Sequence, residues 1–364
     1  MKKKSEKILF YIILCLGLVV LANYVCGMML QKIGKQELAA RQQNLVSLPN
    51  FKNNPDEIKQ IFEDYARSTK EYTPYLVWKR KPFQSKTLTI DSTGFRIQPL
   101  FQSKSTKNNG NVYFFGNSTT WGYGVDDNHT ISALWHQLNP DYEVHNVSET
   151  GYTSRQNLET LLNLLTEGKK INVAIFYVGH NDVLNYNRKN PLHGVQNEAG
   201  YKKKIDNPES IWERIFYGKI VMLIRKLGKK DFKEEYENNE TACRSTQIQM
   251  ISQESIKTWE VAKTLVEKQG GKFILIIQPN AFVGKPNTTH LGYELDELYS
   301  IGFDKEFKCV YPIFQNYCKQ NASWAYDFTN IFDGPDYYYM DAGHVSANGN
   351  QKVAAKIDSI LKVK

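Results

Sequence analysis

The stretch Asn111 to Gly124, NVYFFGNSTTWGYG, constrains the fold of this chain more than any other. Its short apolar run, rich in aromatics, reads as a strand buried on both faces, as in a parallel sheet. Gly116 breaks the run and Ser118 stands in the tight turn that follows. In open α/β folds the carboxyl end of such a strand is where ligands bind. Ser118 is therefore a candidate nucleophile.

The chain downstream alternates strands and helices. Strands are expected at 111–115, 142–146, 171–178, 272–278 and 324–328, and helices at 130–138, 154–165, 253–268, 304–319 and 346–361. Pro312 argues that the fourth of these helices is interrupted. Alternation of this kind implies an α/β fold with a parallel sheet and helices on both faces.

A serine hydroxyl at its ordinary pKa needs a base to take its proton, usually a histidine oriented by a third group. Asp341 and His344 in DAGH suit a loop that turns His344 towards Ser118 while Asp341 holds the other ring nitrogen. Taken alone, this pair could also be a helix cap beside a surface histidine. GHND, Gly179 to Asp182, closes the apolar run Val173 to Val178 and places an amide, Asn181, at another strand end.

In order, Ser118 in GNSTTWGYG, Gly151 in NVSETGY, Asn181 in GHND and the pair Asp341 and His344 in DAGHVSANG match the four blocks of the SGNH (GDSL-type) hydrolases. The chain resembles this family from about Asn111 to Lys362. The resemblance implies a flavodoxin-like three-layer sandwich, an acyl-serine at Ser118, and no cofactor. It also implies three oxyanion donors: the backbone N–H of Ser118, the backbone N–H of Gly151 and the side-chain amide of Asn181. One position departs from the pattern. Where the family usually has Asp before the serine, this chain has Asn117, which hydrogen-bonds without charge.

Other chemistries fit less well. GNSTTWGYG lacks the GK[ST] ending of a phosphate-cradling loop and the GxGxxG spacing. No CxxC or Cys/His cluster suggests a metal site. Of the formal charge of +8, the four Lys and one Glu in residues 1–30 account for +3, and the remaining +5 is too small to argue for nucleic acid. His180 reads as a support to the site, and His129, His136, His145, His193 and His290 read as structural or surface residues.

The N-terminus, MKKKSEK, precedes an uncharged and largely apolar run from Ile8 to Leu30. Its 23 positions span roughly 34 Å as a helix, enough for one membrane crossing. The run is longer than a signal-peptide core and carries no good small-residue cleavage site. An uncleaved anchor is expected, a cleaved signal being the alternative. Lys2, Lys3, Lys4 and Lys7 would stay in the cytoplasm and the remainder would lie outside it.

The expected organisation is a tip and anchor over 1–30, a stalk or accessory segment over 31–102, and the hydrolase domain over 103–364 with an insertion at about 183–251. Within 31–102 a helix is expected near 55–70, followed by short paired strands that pack on the catalytic domain. The insertion carries Ile211, Trp212, Ile215, Phe216, Ile220, Leu223, Ile224 and Leu227 at helical spacing, with basic residues between them. A helix packed over the sheet edge, a contact with a membrane surface and a lid over the substrate all fit that pattern. Tyr337 to Tyr339 could stack on sugar rings or pack a turn. Pairing among Cys243, Cys309 and Cys318 stays open, as does oligomeric state.

The sequence thus reads as a membrane-anchored serine esterase facing away from the cytoplasm. Its expected substrate is an acylated glycan, or another small ester, at the cell surface or exported. An O-acyltransferase using the same residues and an inactive glycan-binding or assembly scaffold are the alternatives.

Overall fold

The structure, a computed structural model, describes residues 2–51, 54–97, 109–187, 210–228, 245–300 and 303–362. The chain divides into two compact units, Met1–Leu45 with Ala199–Asn238, and Val46–Glu198 with Asn239–Lys364. In the first unit, helix α1 (Lys2–Val46) contains a 31-residue stretch, Lys4–Gly34, long and apolar enough to cross a membrane. The 210–228 segment of this unit is helical but broken. A π-helical turn, Glu213–Tyr217, precedes a helix at Gly218–Leu227. Asn23 and Glu37 of α1 hydrogen-bond to this segment.

The second unit starts with α2 (Pro55–Arg67), whose first turn carries Pro55, Asp56 and Glu57, residues that suit a helix N-terminus. Two antiparallel pairs follow, β1 (Lys70–Thr73) with β2 (Val77–Arg80), and β3 (Phe83–Gln84) with β4 (Thr89–Ile90). Arg96 then bridges to both Ile90 and Asn146, tying this accessory segment to the edge of the main sheet.

The main sheet has five parallel strands: β5 (Asn111–Gly116), β6 (Glu143–Asn146), β7 (Val173–Val178), β8 (Lys272–Ile277) and β9 (Ala325–Asp327). Their order is β6-β5-β7-β8-β9, the flavodoxin-like arrangement in which the sequence order reverses beside the first strand. The three central strands are almost wholly buried, as expected where helices cover both faces. Right-handed crossovers put α4 (Ile131–Leu138) and α5 (Ser154–Thr166) on opposite faces, because β6 lies to one side of β5 and β7 to the other. Accordingly α4 packs with the final helix α9 (Ala347–Lys362), while α5 packs with α7 (Ser245–Lys268), which in turn packs with α8 (Asp304–Gln320). The short helix α3 (Ser118–Trp121) and α6 (His180–Asn187) start directly after β5 and β7.

The expectation for Pro312 is corrected here, since α8 runs unbroken through it. A proline removes one backbone bond, to the carbonyl four residues back. That residue is Lys308, exposed like Pro312 itself, so water can serve the freed carbonyl. Phe307, Val310, Tyr311 and Phe314 meanwhile keep one apolar face of the helix in the core. Cys309 is disulfide-bonded and Cys318 is a buried free thiol, so these two are not partners. Cys243 and most of the 183–251 insertion lie outside the described residues.

Candidate active site

Ser118 opens the short helix α3, and the Asn117 side chain caps that helix by accepting the Thr119 N–H at 3.0 Å. Asn117 also donates its amide to Gln278, just past β8. The 341–344 turn folds back on this helix, with Thr119 Oγ1 donating to the Gly343 carbonyl at 3.2 Å. His344 Nε2 thereby lies 2.7 Å from Ser118 Oγ, and His344 Nδ1 lies 2.7 Å from Asp341 Oδ2. The other carboxylate oxygen of Asp341 accepts the backbone N–H groups of Gly343 and His344, each at 2.8 Å. Burial alone would raise the Asp341 pKa. The charge and hydrogen bond of His344, with the two backbone donors, overcome it and hold the carboxyl well below the usual carboxylate range.

Two more turns follow the strands flanking β5. Gly151, with φ of 87°, sits in the left-handed region where a side chain would strain the turn after β6. Asn181, in the first turn of α6 after β7, donates its amide to the carbonyl of Tyr152 at 3.0 Å. The two turns are thus tied together. The buried Asp182 carboxylate reinforces the tie by accepting from the Ser154 N–H at 2.7 Å, the Ser154 hydroxyl at 2.9 Å and the Gly179 N–H at 3.1 Å. Trp259 on α7 donates to that same hydroxyl at 2.7 Å.

Sequence reasoning missed how far the accessory segment supports these turns. Arg80 on β2 is 2% exposed, and it bonds the Glu149 carboxylate at 3.3 Å and the Thr150 hydroxyl at 3.2 Å. Glu149 also accepts the Thr150 N–H at 2.7 Å. Lys70 and the Trp78 indole both donate to the Thr150 carbonyl, at 3.1 and 3.2 Å, and the Tyr152 hydroxyl donates to the Trp78 carbonyl at 2.6 Å. The β1–β2 hairpin therefore clamps the backbone on both sides of Gly151. Trp121, at the end of α3, is held between two guanidinium groups, Arg80 at 4.5 Å and Arg96 at 4.7 Å. Arg96 in addition donates to the carbonyls of Trp121, Gly122 and Val125.

His180 lies beneath the 341–344 turn. A Cβ at Gly343 would come within 2.7 Å of its Nε2, so only glycine fits there. Burial, aided by the nearby His344, pushes His180 down to about 3, with Asp341 opposing. The ring is neutral and packs on Phe307 with centroids 4.9 Å apart. Elsewhere His129 pairs with Asp126 at 2.6 Å, and His290 bonds the Tyr339 carbonyl. Tyr339 is buried and Tyr338 packs on Phe332, so this part of the aromatic run fills a turn. Among the described residues no group of three or more His, Cys, Asp or Glu could hold a metal ion.

The geometry brings Ser118, His344 and Asp341 into one hydrogen-bonded relay. No protein-family model matches the chain, and no curated protein does. Solved structures similar to it include TesA, 14% identical, with 69% of this chain and 98% of that one covered and a TM-score of 0.38. A member of the lipolytic protein G-D-S-L family from Veillonella parvula is also 14% identical, covering 70% and 98%, with a TM-score of 0.38. The acetyl xylan esterase AlAXEase is 17% identical, covering 69% and 99%, with a TM-score of 0.36. At such distances the functional reading rests on the relay itself.

Proposed function

We propose that this chain is an SGNH-type serine esterase that cleaves an ester through an acyl-serine intermediate. The observation that carries the reading is the relay, with 2.7 Å from Ser118 to His344 and 2.7 Å from His344 to Asp341. Ser118 Oγ attacks the carbonyl carbon while His344 Nε2 takes its proton, and Asp341 stabilises the imidazolium. The proton passes to the alkoxide as the C–O bond breaks and the alcohol leaves. Water, deprotonated by the same nitrogen, then releases the acid and restores the hydroxyl.

The oxyanion is assigned three donors. Ser118 is the first residue of α3, where a backbone N–H has no intrahelical acceptor. The Gly151 N–H is the second. Asn181 supplies the third, because its amide carries two hydrogens and only one is directed at Tyr152.

The finer reading is a single-pass membrane protein whose catalytic domain faces away from the cytoplasm and acts on an acyl ester of a surface or exported glycan. Its support is the lysine-rich tip before an apolar helix. The full chain in detergent should hydrolyse a small activated acetyl ester and be labelled at Ser118 by a fluorophosphonate. Ser118→Ala and His344→Ala should each remove nearly all turnover while leaving the fold intact. Retained turnover in purified Ser118→Ala would overturn the assignment.

A further inference from the structure

The membrane-crossing reading of α1 leaves one feature of the first unit unexplained. Asn23 lies inside the apolar stretch Lys4–Gly34, yet its side chain is buried, at 5% exposure. An amide in hydrocarbon is costly unless it is fully hydrogen-bonded. Asn23 is. Its Nδ2 donates to the carbonyls of Arg214 and Ile215, both at 3.0 Å, and its Oδ1 accepts the N–H groups of Lys219 at 2.8 Å and Ile220 at 3.3 Å.

Those four backbone groups are the ones a continuous π-helix would pair with each other, 214 with 219 and 215 with 220. The chain breaks between them at Tyr217, whose φ of −141° and ψ of −7° are not helical. The Asn23 amide fills the gap. It satisfies a helix break that hydrocarbon would otherwise not tolerate, and the break satisfies Asn23. Close approach continues one turn along α1, where a Cβ on Gly27 would sit 3.6 Å from the Lys219 side chain.

We propose that the 210–228 segment is embedded in the bilayer beside α1, in the half of the membrane nearer Leu30. The inference rests on the membrane-crossing reading above. Asn23 fixes the depth, being seven residues or roughly 10 Å from Leu30 along the helix. Apolar side chains Ile211, Trp212, Ile215, Met222, Ile224 and Leu227 are exposed on this segment, as suits contact with acyl chains. At its far end Lys226 pairs with Glu37, beyond the apolar run, at 2.6 Å. The segment therefore rises from hydrocarbon to the polar interface.

Bromolipid quenching tests the placement. Full-length protein is reconstituted in phosphatidylcholine vesicles with bromine on the acyl chains, and the Trp212 emission is taken as the difference between wild type and Trp212→Phe. That emission should be largely lost, more with bromine towards the terminus of the chain than near its headgroup end, because Trp212 lies at the deep end of the segment. Asn23→Leu should still float with vesicles after carbonate washing but regain much of the emission. If wild type floats and Trp212 is quenched by aqueous iodide instead, the surface faces water or another protein and the inference fails while the anchor stands. Unchanged quenching in Asn23→Leu would likewise refute the clasp. A wild type that does not float removes the anchor reading itself, and this inference with it.

Discussion

Asn117 and Gln278 are joined side chain to side chain, so the residue before Ser118 is anchored to the end of the next strand but one in the sheet. The other end of the Asn117 amide caps α3. An uncharged residue thus does the structural work at a position where the SGNH pattern usually has a carboxylate.

Replacing it tests whether the missing charge matters. Asn117→Asp should keep the fold, since a carboxylate caps Thr119 equally well and Gln278 can turn its NH2 towards it. A carboxylate beside the relay favours the protonated imidazole, so the acidic limb of kcat/KM should move to higher pH. If wild type neither turns over esters nor reacts with fluorophosphonate while Asn117→Asp does both, the native protein is a scaffold.

Asn181→Ala should lower kcat by about a hundredfold to a thousandfold, the effect expected for one lost oxyanion donor. A change confined to KM would place Asn181 in substrate binding alone.

Arg80→Met should destabilise the protein by about 3–5 kcal/mol, because the Glu149 carboxylate is left buried without its guanidinium. It should also lower kcat by loosening the Gly151 turn. Adding Glu149→Gln should recover part of the stability, read by thermal unfolding, since the two changes share one interaction. A loss in the double variant equal to the sum of the losses in Arg80→Met and Glu149→Gln alone would show that the pair is not coupled.

His180 gives the protein an acid-sensitive core. Its folded-state value of about 3 lies below the unfolded value of about 6.5, so protons favour the unfolded chain. Stability should fall by up to about 1.4 kcal/mol per pH unit below about 6.5, continuing towards 3. His180→Phe should flatten this slope and still pack against Phe307. Melting curves at pH 7.5 and 5 check it, and parallel slopes in the two proteins would refute the assignment.

The sheet was legible because its three central strands are compact apolar runs such as Val173–Val178, each followed by a helix with a periodic apolar face. The relay was legible through short blocks around Ser118 and His344. The clamp on Gly151 was not. Arg80, Lys70 and Trp78 meet Glu149 and Thr150 from about 70 to 80 residues away in sequence, and a polar contact at that range leaves no periodicity to read. Pro312 misled for a related reason, since the exposure of Lys308 decides whether the helix tolerates it. Asn23 was hidden as one polar residue in an apolar run, and its partners only assemble in three dimensions.

The two halves of the relay are separated by 226 residues of chain. A ribosome therefore finishes the nucleophile turn, all five strands and both supporting turns before the base exists. Until the 341–344 turn is synthesised, the Ser118 hydroxyl lacks its hydrogen-bond partner His344. A product that lacks this last piece leaves Ser118 without the base proposed for it.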